Sequence, residues 1–234
     1  HVHLVLENEE NEAHRLRRDI DHKPFTFTAQ WNDDIHHAFH TLLTGESKGY
    51  YQDYADAPMA HLMRCLTTGF SYQGQPSKVR KGGSRGEPSG DLPPLAFVAH
   101  LQNHDQIGNR AFGDRISMLA PAEGVAAVTA VLLLLPQIPM LFMGQEWGTK
   151  QPFQFFCDLG PDLEDAVREG RRKEFAAFPE FADPKAREQI PDPTAESTYQ
   201  ASMLDWSELN ERDHQRMLNL HRELLEIRSA EIVP

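Results

Sequence analysis

Basic charge, cysteine and long apolar runs are all scarce in this 234-residue sequence. Lys and Arg number 23 against 35 Asp and Glu, a formal net charge of −12. Nucleic acid or an anionic membrane would need a basic face, so neither is an expected partner, whereas a neutral ligand is compatible. The two cysteines, Cys65 and Cys157, lie far apart and form no disulfide framework. That fits a reducing compartment, and the expected location is cytoplasmic. The longest apolar stretch, Val125 to Gly144, is interrupted by Pro136, Gln137 and Pro139. Its unbroken part, Val125 to Leu135, would make a helix of roughly 16 Å, about half a bilayer core. A buried helix followed by a buried strand accounts for it better. Nucleotide-binding glycine patterns are missing too, since Gly82-Gly83-Ser84-Arg85-Gly86 follows no strand. No cofactor is expected.

An initiator Met and a leader are also absent. The chain opens at His1 inside an apparent strand and stops at Ile232-Val233-Pro234, after a helical pattern. It reads as a fragment of a longer protein.

What is present is an apolar content of 40%, spread along the chain and sufficient for a substantial core. Four strand-like runs stand out: Val2–Leu6, Phe25–Gln30, Ala96–Leu101 and Pro139–Met143. Helical spacing of apolar residues appears over Asn11–Ile20, Asp33–Leu43, Met59–Phe70, Pro121–Leu135 and Ser207–Arg228. Gly45 is a reasonable stop for the second of these, and Pro121 sits where a helix start tolerates a missing N–H. Strands alternating with helices predict an α/β class with a parallel sheet. Four strands cannot close an eight-stranded barrel. Two arrangements follow: a small open sandwich, or half of a barrel whose exposed sheet edges could support self-association. Tyr72 to Pro94 and Gly144 to Leu204 read as long irregular stretches. The phenylalanines of the second are expected mainly to anchor it, although a lid or sugar-stacking wall is the sharper alternative.

Three strand ends carry groups suited to chemistry. Glu7 closes the first run and Asp105, beside His104, follows the third. Cleaving a glycosidic bond needs an acid to protonate the leaving oxygen and a carboxylate on the other side of the sugar. Partial burial and neighbouring carboxylates would favour a protonated Glu7, as an acid requires. Taken alone, it could equally be a solvated loop acid. His104, Gln106 and Asn109 offer hydrogen bonds to hydroxyls, although polar residues in a turn need no special purpose. At the second strand end, Trp31 offers a flat face for a pyranose ring, and Asn32, Asp33 and Asp34 offer polar partners. Asp33 could instead be a helix N-cap. His36 and His40 share a helical face, but the Glu that would follow the first His in a zinc-protease helix is replaced by His37. No metal is expected.

Several segments together resemble the α-amylase superfamily of glycoside hydrolases. They are Leu4-Val5-Leu6-Glu7-Asn8-Glu9, Ala29-Gln30-Trp31-Asn32-Asp33-Asp34 with His36-His37, and Leu101-Gln102-Asn103-His104-Asp105-Gln106-Ile107-Gly108-Asn109-Arg110. Tyr72-Gln73-Gly74, Arg85-Gly86-Glu87-Pro88-Ser89, Pro139 through Glu146, Gly170 through Phe175, Ile190 through Pro193 and Leu204-Asp205-Trp206 extend the likeness across nearly the whole chain. The resemblance implies that residues 1–234 are a partial catalytic domain, strands five to eight of a (β/α)₈ TIM barrel. The upstream half-barrel and a downstream β-domain would lie outside it. It implies Glu7 as general acid, Asp105 as the transition-state-stabilising aspartate and His104 as a glucose contact. The activity implied is hydrolysis of the α-1,4 bond adjoining the trehalose end of a maltooligosyltrehalose, an α-glucan oligosaccharide. The superfamily's nucleophilic aspartate, in an Arg-x-Asp sequence after the fourth strand, has no counterpart here, so the chain alone is expected to be inactive. The alternatives are a related α-glucan branching or transglycosylating enzyme, a non-catalytic carbohydrate-binding module, or a metal-dependent hydrolase.

Overall fold

The structure is a computed structural model that describes residues 2–176 and 178–233, so that His1, Ala177 and Pro234 lie outside it. Of the expected elements, the run opening at His1 and the chain end at Pro234 are touched by this limit. The chain divides into two compact units. The first is His1–Leu101, Ala120–Leu141 and Arg216–Pro234; the second is Gln102–Leu119 and Phe142–Gln215.

Unit 1 is built on a parallel sheet. Its strands are β1 (Val5–Leu6), β2 (Ala29–Trp31), β5 (Phe97–His100) and β6 (Ile138–Met140), hydrogen-bonded in the order β1-β2-β5-β6. The register pairs Leu6 with Gln30, Trp31 with Val98 and His100 with Met140. Each expected strand is therefore present, although shorter than its apolar run. An antiparallel pair, β3 (Gln75–Pro76) and β4 (Ser84–Arg85), gives order inside the stretch read as a loop from Tyr72 to Pro94. The buried Asp53 stabilises it, its carboxylate accepting from Ser77 Oγ at 2.6 Å and from the amides of Lys78 at 2.6 Å and Val79 at 3.2 Å.

Helix α1 (Asp33–Thr44) starts where the Asn32 side chain accepts from the Ile35 amide at 3.4 Å. It ends at Gly45, whose φ of 71° closes the helix with an N–H bond to Thr41 O at 3.0 Å. Its inner face buries Ile35, Ala38 and Phe39 against Leu62 and Cys65 of α2 (Pro58–Thr68), Ala99 and Leu101 around β5, and Val128 and Leu132 of α5 (Ala122–Leu134). Each large apolar side chain in such a cluster contributes about 1.5–3 kcal/mol. A second cluster joins Leu16, Phe70, Ala96 and Phe97. No helix among the described residues is long and apolar enough to cross a membrane.

The expected helix over Asn11–Ile20 is reduced to one 3-10 turn, Ala13–Leu16. Asn11 is left-handed at φ 55°, Arg17 is extended, and Arg18 bridges to Pro24 while its guanidinium donates to the carbonyls of Phe27 and Thr28. Local side-chain bonds have won over helical periodicity.

Unit 2 holds α3 (His104–Gly108), α4 (Ile116–Leu119), α6 (Glu164–Phe175), α7 (Pro184–Glu188) and α8 (Glu196–Ala201). The last three correct the reading of Gly144 to Leu204 as irregular. Helix α6 escaped because its described residues bury only Arg171 and Phe175, leaving no apolar stripe. Its charges follow the helix dipole instead, with Glu164 and Asp165 in the first turn and Arg172 and Lys173 in the last. The phenylalanines pack on one another: Phe153 on Phe142 and Phe156, Phe175 on Phe178 and Phe181. The single helix expected over Ser207–Arg228 is a 3-10 turn, Trp206–Asn210, followed by α9 (Arg212–Ile227). The extended Glu211 separates them. Just before it, the Glu208 carboxylate is drawn in by Trp147 Nε1 and the Lys150 amide, each at 3.0 Å.

Candidate active site

In a parallel α/β sheet the C-terminal strand ends gather loop-borne chemistry. Unit 1 brings Glu7, Trp31, Asn32, Asp33 and His100 to that edge. Glu7 directly follows β1 and is exposed, which corrects the expectation of partial burial. Among the described residues β1 is an edge strand of this sheet, with Leu4 and Val5 exposed.

Asn32 and Asp34 do not present their polar atoms outward. Asn32 is fully buried; its Nδ2 donates to Gly69 O at 2.8 Å while its Oδ1 caps α1. The N-cap role considered for Asp33 thus belongs to its neighbour. Asp34 is also fully buried. Its Oδ2 accepts from Asn11 Nδ2 at 2.9 Å and from the Ser71 and Tyr72 amides at 2.7 and 2.8 Å. Its Oδ1 accepts from Tyr54 Oη at 2.5 Å and lies 3.0 Å from Arg85 Nη2. Both residues are therefore reassigned from substrate contacts to the internal frame of the site. Burial and then the adjacent Asp34 push the Tyr54 phenol well up. Burial would weaken the Arg85 guanidinium, but Asp34 and Tyr54 outweigh it and raise its pKa.

Trp31 and Asp33 remain partly accessible. The Trp31 ring meets His100 edge-on, centroids 6.2 Å apart. Asp33 Oδ1 is 3.5 Å from Nε2 of the buried His100. Burial alone would raise the Asp33 carboxyl, yet His100, followed by His37 and Arg85, holds it below the usual range. His100 was not singled out in the sequence. Its signal was there: a polar residue ending an otherwise apolar strand.

Behind this edge α1 carries a histidine cluster. His36 stacks on His100 at 5.9 Å, His37 on Tyr54 at 5.0 Å and His40 on Tyr51 at 4.2 Å. The ring of His36 bonds through Nδ1 to Leu101 O at 2.6 Å, and His40 Nε2 meets Glu46 at 3.0 Å. Burial, then the neighbouring histidines, keeps the His36 pKa well below its ordinary value. Burial likewise lowers that of His37 to about 4, against an upward pull from Asp33. Among the described residues no group of three or more His, Cys, Asp or Glu is arranged to hold a metal ion.

Unit 2 brings the other expected residues onto α3. Asn103 and Gln106 form a reciprocal capping box: Asn103 Oδ1 accepts from the Asp105 and Gln106 amides at 2.8 and 3.2 Å, and Gln106 Oε1 accepts from the Asn103 amide at 3.1 Å. Gln106, expected as a substrate contact, has its amide oxygen committed to the cap. His104 and Asp105 are exposed. Asn109 Nδ2 donates to Asp105 Oδ1 at 2.7 Å and so fixes the carboxylate from one side. Arg171 was quoted in a motif but given no role. It is buried between Phe155 and Phe175, at 5.1 and 4.7 Å from their centroids, and Nη2 donates to Gly108 O at 2.6 Å and Arg110 O at 2.9 Å. These bonds anchor the C-terminal end of α3.

In unit 1 an exposed carboxyl follows β1, and a partly accessible aromatic ring and carboxylate stand at the end of β2. In unit 2, α3 carries an exposed His–Asp pair. No model of a known protein family matches the chain. Named relatives do. The malto-oligosyltrehalose trehalohydrolase of Mycobacterium tuberculosis is 38% identical over 230 residues, 97% of this chain and 38% of that protein. Those of Deinococcus radiodurans and Saccharolobus solfataricus are 43% and 37% identical, each over 87% of this chain and 33% of the relative. A 1.4 Å crystal structure from Salmonella typhimurium, provisionally described as an alpha amylase, superposes with a TM-score of 0.91 at 48% identity. It covers 99% of this chain, which corresponds to 38% of the Salmonella protein. Over nearly its whole length the chain is homologous to the malto-oligosyltrehalose trehalohydrolases, and it spans 33% to 38% of the length of these relatives.

Proposed function

We propose that the chain supplies strands five to eight of a (β/α)₈ barrel in a glycoside hydrolase acting on maltooligosyltrehalose. The bond cleaved is the α-1,4-glucosidic bond adjoining the trehalose end, and trehalose is released. The observation that carries this reading is Glu7 placed directly after a parallel strand, within a sequence homologous to the trehalohydrolases along almost its whole length. The exposed flank of β1, with Leu4 and Val5 open to solvent, suits pairing with an upstream fourth strand. Left unpaired, that edge would favour self-association.

In this reading Glu7 donates a proton to the glycosidic oxygen as the bond to the anomeric carbon breaks. Asp105 stabilises the positive charge developing on the sugar ring, and His104 holds a glucose hydroxyl. An aspartate from the upstream half attacks the anomeric carbon. Glu7, now a carboxylate, then takes a proton from the water that hydrolyses the glycosyl-enzyme. Trp31 and Asp33 contact the saccharide. Without the upstream aspartate the 234-residue chain has acid catalysis only, worth about 10²–10⁴-fold, and is inactive by itself.

Product analysis of maltotriosyltrehalose incubated with the full-length protein tests the proposal. Trehalose and maltotriose are the expected products. New linkages without trehalose would indicate a transferase, and binding without turnover a carbohydrate-binding module.

A further inference from the structure

The segment following Glu7 is held by its own main-chain carbonyls. Gln30 Nε2 donates to Asn8 O at 2.7 Å, and Arg85 Nε donates to Glu9 O at 2.9 Å. The Glu87 amide donates to Asn11 O at 3.0 Å, while the Asn11 side chain reaches Asp34. Carbonyls in a surface turn are ordinarily left to water. Here two consecutive ones are taken by buried side chains from separate elements. Gln30 lies in β2 opposite Leu6, which aligns its amide with the chain leaving β1. Arg85 ends β4, and its remaining donors go to Tyr54 Oη at 2.8 Å and to Asp34. Gly86 completes the arrangement: its φ is 80°, and a Cβ there would collide with the Tyr72 carbonyl.

Asp34 and Tyr54 take the two Nη groups of Arg85, and its Nε–H finds its acceptor in the main chain at Glu9 O. Gln30 points the same way. Its Oε1 is buried without a hydrogen-bond partner among the described residues, so the side chain is not there for a complete set of bonds. Its amide donor does serve the carbonyl next to Glu7. The Glu7 side chain is itself exposed and takes its position from this backbone.

We propose that Arg85 and Gln30 are positioning residues for Glu7, fixing where its carboxyl meets the leaving oxygen by clamping the carbonyls of Glu9 and Asn8. This inference rests on the reading of Glu7 as proton donor. A general acid must come within about 2.6–3.2 Å of the atom it protonates, and a misplacement of about 1 Å can cost 10²-fold.

Loss of acid catalysis has a signature that general loosening lacks: it slows departure of a sugar alkoxide but not of a group needing no proton. The test uses the full-length protein with Arg85→Lys, Gln30→Leu and, as control, Glu7→Gln. Rates are compared on maltotriosyltrehalose and on α-maltosyl fluoride, whose fluoride leaves unprotonated. Read as kcat/KM, which reports departure of the leaving group and not the later water step that Glu7 also serves, Glu7→Gln should lose about 10²–10⁴-fold on the first and far less on the second. Arg85→Lys and Gln30→Leu should repeat that asymmetry in kcat/KM at roughly 10–10²-fold. Gln30→Leu nearly keeps the volume and removes a partnerless acceptor, so it carries the test alone if Arg85→Lys does not fold. Equal losses on both substrates, beside an asymmetric Glu7→Gln, would overturn the positioning role alone. A symmetric Glu7→Gln would overturn the reading of Glu7 and the proposal with it.

Discussion

Asp34 and Arg85 form a buried ion pair at 3.0 Å that joins the first turn of α1 to the end of β4. Four further donors converge on the same carboxylate, from Asn11, Tyr54, Ser71 and Tyr72. The site edge is thus backed by a closed polar frame rather than by apolar packing alone.

Removing one partner of such a pair strands the other charge in a dry setting. Asp34→Ala should therefore destabilise the protein by about 3–5 kcal/mol, measured by urea unfolding. Asp33→Ala, at a partly accessible carboxylate, should cost far less. Comparable losses for the two would contradict the central role of Asp34.

The histidine cluster predicts acid sensitivity. Burial holds the His37 pKa at about 4, against 6.5 for the free group. Between those values the unfolded chain binds a proton that the folded chain refuses. Stability from this residue is complete above pH 6.5 and is lost as pH falls towards 4, by about 3 kcal/mol. The buried His36, also shifted down, adds to the same trend. Unfolding free energies measured across this range should fall with acidity, and His37→Gln should flatten the curve. A flat wild-type profile would contradict the burial argument.

In unit 2 the position of Asp105 depends on both ends of a five-residue helix. Asn103→Ala removes the cap and should cost about 1 kcal/mol. Arg171→Met leaves the Gly108 and Arg110 carbonyls without their donor and should cost about 1–3 kcal/mol. Hydrogen exchange at 105–110 should quicken in both variants. Unchanged exchange in Arg171→Met would show that the clamp is not what orders α3.

Much of unit 1 was legible because its elements obey simple periodicities. Each of the four parallel strands overlaps one of the four apolar runs, and α1 ends at Gly45 as its sequence suggests, although its cap is Asn32 rather than Asp33. The site was legible by residue but less so by role. The sequence marks Asn32, Asp34 and Gln106 as substrate contacts, and the structure gives their oxygens other work. Their oxygens turned inward because caps and buried amides were available to them, which a one-dimensional pattern does not reveal. Arg85 and Arg171 act on carbonyls 76 and 63 positions away in sequence, and separations of that kind leave no local trace. Helix α6 was hidden for the opposite reason, having a charge pattern but almost no apolar face.

The most direct test of the account is the rate of trehalose release from maltotriosyltrehalose by the full-length protein, wild type beside Glu7→Gln. The account predicts stoichiometric trehalose and maltotriose from the wild type and a loss of about 10²–10⁴-fold in the variant. Absence of trehalose from the wild type, or an undiminished rate in Glu7→Gln, would contradict it.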